Sequence, residues 1–355
     1  MVPRPIAPML AILDGTRNAD ALRTGFLLRT GIQLDLSQVD AFIESLDDAF
    51  LLDNQRFQGA IAKVMDNYHA GPFRPSSLAG NSYPSNGDEL REAFDDYCSN
   101  ANADAGGQVL KDGDAGSKRI AGLISPHIDY NRGWRTYAET WQLAHKAVED
   151  AELIILLGTD HSGSPGKLTL TRQDYATPWG QLPTDTSLVD GLVEILGEDG
   201  AFQEEVHPIG EHSVELASVW LHYFAGGKPK RMLPILCGVD ENLVEKGAET
   251  NGVLQDALSF LADVVAEQNT LVVAAGDLSH VGPAFSGSLP LDLAGKARIR
   301  TSDEEWLEVA CTGSSERLAD HMRSKGDATR ICGASPIRYM LAILPETRGE
   351  VVAYD

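Results

Sequence analysis

From Arg119 to the C-terminus, short apolar runs alternate with longer stretches whose apolar residues recur every three or four positions. No other feature restricts the fold as much, because parallel strands need crossover helices to bring the chain back, and this rhythm supplies them. Ile120–Ser125, Leu153–Leu157, Met232–Leu236 and Leu271–Ala275 are the expected strands. The expected helices are Trp134–Glu149, Asp185–Leu196, Glu211–Phe224, Asn242–Ala266, Glu304–Met322 and Ser335–Leu344. The fold class that follows is α/β, a mixed but mostly parallel sheet flanked by helices.

Three of the four strands run directly into loops with titratable groups. They are Pro126-His127-Ile128-Asp129-Tyr130, Gly158-Thr159-Asp160-His161-Ser162-Gly163 and Gly276-Asp277-Leu278-Ser279-His280. Ligands of open α/β sheets bind outside the carboxyl ends of the strands, so loops far apart in sequence can meet there. One such histidine reads best as a hydrogen-bonded structural residue; three in the same topological position point to a shared site. Imidazoles from separate loops serve as metal ligands, as general acid or base, or as both, and spacing does not separate these roles. Cys332 lies just before a helix opened by Ser335 and Pro336, where the helix dipole favours a thiolate; as a residue type alone it reads better as a small buried hydrophobe, as do Cys98, Cys237 and Cys311. His212 and Glu215 stand three apart on one helical face, as a catalytic pair or as a cap. His69, His145, His207, His222 and His321 are expected in surface or packing roles, and Trp179 as the anchor of a Pro/Gly turn or a pocket wall.

The first residues follow a different pattern. Val39, Phe42, Ile43, Leu46 and Phe50 recur at helical spacing behind Ser37, with Asp40 completing a capping-box pattern, so residues 1–70 are expected to form a small helical module and residues 71–355 the α/β domain. Ser99 to Lys118, built mostly of Asn, Asp, Ala and Gly, is an expected surface loop. With 29 Lys and Arg against 52 Asp and Glu, the net charge is −23, which makes nucleic acid and anionic membranes poor partners. The longest apolar run, Tyr339–Leu344, falls far short of the roughly 20 residues a membrane span needs. No secretory leader is evident, so a cytoplasmic location is expected. Four cysteines without a CxxC pair fit neither a disulfide framework nor a zinc finger.

From about Arg74 onward the chain resembles the Memo-like family, which includes the AmmeMemoRadiSam system protein B. The resemblance rests on six ordered motifs: Ala79–Pro84, Pro126–Tyr130, Gly158–His161, Glu211–Glu215, Asp277–His280 and Ile331–Ile337. It implies the fold of class III extradiol dioxygenases and a metal site formed by His127, His161 and Cys332. Asp277 and His280 would then handle protons, and His212 and Glu215 would stand at the edge of the same cleft as further catalytic candidates. The implied cofactor is a divalent metal, iron(II) first, with copper or zinc as alternatives. The implied function is a metal-dependent oxidoreductase with a small-molecule substrate; the alternatives are a docking protein with a structural or vestigial metal site and a zinc hydrolase. Partners of the radical-SAM and AMMECR1 type are expected from the family's name. Three departures stand out: Ile128-Asp129 where many relatives have Ala-Gly, Ser162 where some have another His, and Ala334-Ser335 in place of Arg-His. Asp129 is expected to add negative charge to the cleft. The first 66 or so residues look similar to small winged-helix-like modules of some bacterial members, and are read as a protein contact.

Overall fold

The computed structural model describes residues 4–104, 119–240, 243, 252–285 and 291–355, and the chain divides into two compact units, Met1–Asn67 and Tyr68–Asp355. The first contains a short 3-10 turn, Ala7–Ile12, then α1 (Ala19–Thr30), α2 (Leu36–Asp48) and most of α3 (Gln55–Ala70). Met9, Ile12, Leu22, Phe26, Val39, Phe42 and Leu46 form a core of its own. The capping box of α2 lies earlier than expected: Asp35, not Ser37, is the N-cap, and its backbone N–H donates to Gln38 Oε1 at 2.9 Å.

The second unit begins with α4 (Gly87–Asp104), β1 (Gly122–Ser125), α5 (Tyr130–Asp150) and β2 (Leu153–Thr159). Three short strands follow, β3 (Leu168–Leu170), β4 (Tyr175–Thr177) and β5 (Gly180–Leu182), then α6 (Thr186–Leu196), α7 (Glu198–Phe202), α8 (His207–Gly210), α9 (Ser213–Phe224) and β6 (Met232–Cys237). The chain ends with α10 (Gly252–Glu267), β7 (Thr270–Ala275), α11 (Leu293–Ala310), α12 (Ser315–Lys325) and α13 (Ala334–Ile343). The main sheet has the order β1-β7-β2-β6-β3, with only β3 antiparallel. Its central strands are apolar on both faces, as a sheet covered on both sides requires. Along β2, Ile155 and Leu157 face helices α6, α10 and α13, whereas Ile154 and Leu156 face α5 and α9.

All four expected strands form, each within a few residues of its expected bounds. Two helices differ from expectation. The predicted Glu304–Met322 helix is two helices broken at Gly313, whose φ of 75° and close approach to the backbone of Thr347 leave no room for a side chain; Ser314 then caps α12 by accepting from Arg317 N–H. The expected Asn242–Ala266 helix is described only at Leu243 and from Gly252, the rest lying outside the described residues. The expected Ser99–Lys118 loop is helical to Asp104, and the remainder up to Lys118 lies outside the described residues. No helix among the described residues is long and apolar enough to cross a membrane.

Candidate metal centre

β1, β7 and β2 are neighbours and parallel, so the loops carrying His127, Asp277 and His161 leave the sheet at one edge. This places the three chemistry-bearing loops together although they span more than 150 residues of sequence. The fourth contributor is the turn before α13. Its Gly333 lies so close to Gly276 that a β-carbon on Gly276 would sit 2.2 Å from Gly333 Cα, and Gly333 N–H donates to Asp277 O at 3.0 Å. Thr159 Oγ1 donates to Cys332 O at 3.0 Å, closing the same junction from β2. Two glycines therefore let the Cys332 turn reach the ends of the strands.

There, Cys332 Sγ is 3.1 Å from His127 Nε2. His127, His161 and Cys332 each offer a donor atom, all within 4.8 Å of one another. His127 is buried and its other ring nitrogen, Nδ1, pairs with Ala275 O at 3.2 Å; a carbonyl only accepts, so Nδ1 carries the proton and Nε2 the lone pair. His161, 37% exposed at the side chain, is fixed in the same way by Glu211, whose Oε2 accepts from Nδ1 at 3.0 Å. The set fits a soft or borderline divalent metal: two imidazoles with free Nε2 atoms and one thiol, with the far ring nitrogens held by hydrogen bonds. Burial lowers the His127 pKa to about 4, which keeps the ring neutral as a ligand must be. Burial, then the Asp277 carboxylate, pushes the Cys332 thiol up to about 12, the reverse of the shift expected from the helix dipole. Desolvation outweighs the dipole here.

His212 packs beside these groups, its ring 5.1 Å from His127 and 4.8 Å from His161. Its Nδ1 is 3.0 Å from Glu211 Oε1. Burial opposes a charge on Glu211, but the hydrogen bonds from His161 and His212 win and hold the carboxyl well below its usual range. Burial also opposes protonation of His161, and the hydrogen bond and charge of Glu211 outweigh it, raising the imidazole pKa.

Other expected roles are corrected. Glu215 does not face the centre: it is fully buried in an ion pair with Arg74, and also accepts from Tyr83 Oη at 2.5 Å, Leu78 N–H at 2.9 Å and Ser77 Oγ at 2.8 Å. A carboxylate so saturated ties the Arg74–Tyr83 loop to α9 and has nothing left for substrate. Asp277 does not hold His280. Its Oδ1 accepts from His127 N–H at 2.9 Å and its Oδ2 lies 3.9 Å from His127 Nε2, while His280 Nδ1 donates to Leu278 O at 2.8 Å. Asp129 caps α5 and pairs with Arg132, so its charge is compensated locally. Trp179, by contrast, anchors its turn as expected, donating to Gly87 O at 2.8 Å. His207, read as a surface or packing residue, pairs with the buried Asp160 at 2.9 Å and so pins the loop that carries His161.

The sequence reading missed Glu211 as a functional residue, although it sits one position before His212 in a motif already singled out. Its only sequence signal is a carboxylate just ahead of a helix N-terminus, beside a histidine.

Comparison with known proteins gives the family of this chain. The family described as Memo-like protein matches residues 74–355, a span that holds every residue of the centre. A MEMO1 family protein of Aquifex aeolicus is 24% identical over 352 residues, covering 98% of this chain and 85% of its own length. One from Thermus thermophilus is 26% identical and covers 95% of this chain and 93% of its own length; one from Methanosarcina barkeri is 25% identical, with 80% and 92% covered. On the extent of the family match, this chain belongs to the Memo-like protein family.

Proposed function

We propose that this Memo-like protein is a metal-dependent oxidoreductase, with non-haem iron or copper held by His127, His161 and Cys332 and a small molecule as substrate. One observation carries the reading. Both imidazoles have Nδ1 engaged by an acceptor, leaving each Nε2 free, and a thiol stands 3.1 Å from one of them.

Iron or copper at this position would supply one-electron chemistry toward oxygen. The chain's own residues do the rest. Buried His127 and half-buried Cys332 form the inner wall, and exposed His161 marks the side from which substrate arrives. His212, in ring contact with both imidazoles, is the group that takes a proton from substrate and returns it. Asp277 and Glu211 give the cleft a negative surround that favours a cation and disfavours an anionic substrate. A thiolate ligand in place of a carboxylate argues against catechol ring cleavage.

The test is metal content per chain after anaerobic purification, measured for wild type, Cys332→Ser and His161→Ala. Near-stoichiometric iron or copper in wild type, lost in both variants, is expected, followed by oxygen consumption on substrate screening. Stoichiometric zinc with no response to oxygen would favour hydrolysis instead. No metal in any of the three would sink the metal assignment and leave a docking surface.

A further inference from the structure

We propose that Glu211 is a positioning residue whose single carboxylate fixes the tautomer of two imidazoles at once, His161 and His212, so that both keep an unprotonated Nε2. The proposal rests on the metal reading for what His161 does with that lone pair, but the positioning itself is a property of this chain alone.

Four N–H groups donate to the Glu211 carboxylate, and His212 Nδ1 faces it at 3.0 Å. Oε1 accepts from His212 N–H at 2.7 Å and Ser213 N–H at 3.0 Å, and lies 3.0 Å from His212 Nδ1; Oε2 accepts from His161 N–H at 3.1 Å and lies 3.0 Å from His161 Nδ1. The side chain is 7% exposed, so water does not substitute for these partners freely. A carboxylate has acceptors only. Every nitrogen it meets must therefore carry a hydrogen, and each imidazole in its neutral form is left with the proton on Nδ1 and the lone pair on Nε2. The backbone N–H groups of His161 and His212 bind the same carboxylate, which fixes where each residue starts as well as how its ring turns. Glu211 is itself held from behind, since Arg74 Nη2 donates to Glu211 O at 3.0 Å, and Arg74 is locked by Glu215. The buried ion pair that excluded Glu215 from chemistry thus supports the carboxylate that does reach the centre.

The consequence is a division of labour between two stacked rings 4.8 Å apart. His161 presents Nε2 as a ligand, and His212 presents Nε2 as a base, and neither can exchange tautomer while Glu211 is ionised. Gln is nearly the same shape but replaces one acceptor oxygen by an NH2 donor, which then faces N–H groups. At least one ring must turn or move its proton to Nε2.

The experiment uses metal-free full-length protein at about pH 8.5, above the ordinary imidazole range, and long-range 1H–15N NMR to read which nitrogen carries each proton. In wild type, His161 and His212 are expected with protonated Nδ1 and bare Nε2. In Glu211→Gln, at least one ring is expected to shift to Nε2–H, and affinity for Co(II), followed by thiolate-to-metal absorption, is expected to fall roughly 10–100-fold. A protonated Nε2 on either ring in wild type would overturn the proposal, and this arm stands even if the variant does not fold. So would a folded Glu211→Gln protein with both tautomers and the Co(II) affinity unchanged. If Co(II) fails to bind wild type while the tautomers are as stated and shift in the variant, the positioning role holds and the metal reading falls.

Discussion

His127 and Cys332 meet at 3.1 Å, and burial drives both to their uncharged forms, the imidazole pKa down to about 4 and the thiol up to about 12. Metal-free protein therefore holds a neutral pair, and binding of a cation must expel the thiol proton. The sign of the pH dependence follows for His127. Its folded pKa lies below the unfolded value of 6.5, so its contribution to stability is complete above pH 6.5 and is lost as pH falls through about 4. A shift of this size is worth about 3 kcal/mol. Denaturant unfolding of the metal-free protein is expected to show that loss between pH 6.5 and 4, and His127→Gln to show a flatter profile; equal slopes would refute the assignment. The loops of His127 and His161 could be placed because each follows a strand that sequence pattern locates well, whereas Cys332 joined them only through the family resemblance, its own pattern reading as a small buried hydrophobe. Glu211 was not legible. Helical spacing pairs His212 with Glu215, but the helix starts at Ser213, and Glu215 belongs to Arg74, 141 residues away in sequence. No local pattern announces such a partner.

Between elements, what decides the site is how closely two turns approach. The turn after β7 and the turn before α13 touch at Gly276 and Gly333, and no side chain fits between them. Gly276→Ala would place a β-carbon 2.2 Å from Gly333 Cα, so one turn must retreat and carry Cys332 from His127. Overpacking of this kind costs about 1–3 kcal/mol. The expected outcome is a folded, somewhat destabilised protein whose metal content falls much further than its stability, measured by elemental analysis beside thermal unfolding. Metal retained at wild-type stoichiometry would show that the turns can part without opening the centre. The longer elements could be read from periodicity, because four strands and most helices hold enough residues to display a period. Strands β3, β4 and β5 have three residues each, too few to alternate visibly, and the break at Gly313 is imposed by Thr347, which no window around residue 313 contains.

For the whole chain, two units with separate cores raise the question of which one the chemistry needs. Every residue of the proposed centre lies in Tyr68–Asp355, and the family match begins at residue 74. The Aquifex and Thermus relatives nevertheless cover 98% and 95% of this chain, so their similarity extends through the first unit as well. The core of that unit, from Met9 to Leu46, contributes no ligand to the centre. Among the described residues, eight exposed large apolar side chains lie in it, Leu10, Leu27, Leu28, Ile32, Leu36, Phe50, Leu51 and Val64, against five in the much longer second unit. That distribution suits a unit kept for contact rather than for chemistry. Deleting residues 1–53 removes this core but keeps α3 whole from its cap, since Asn54 Oδ1 accepts from Phe57 N–H at 3.1 Å. The shortened chain is expected to fold and to retain metal at the full-length stoichiometry, measured by elemental analysis alongside circular dichroism. Loss of metal from a folded truncation would mean that the first unit shapes the centre from outside it, and the contact role would have to be abandoned.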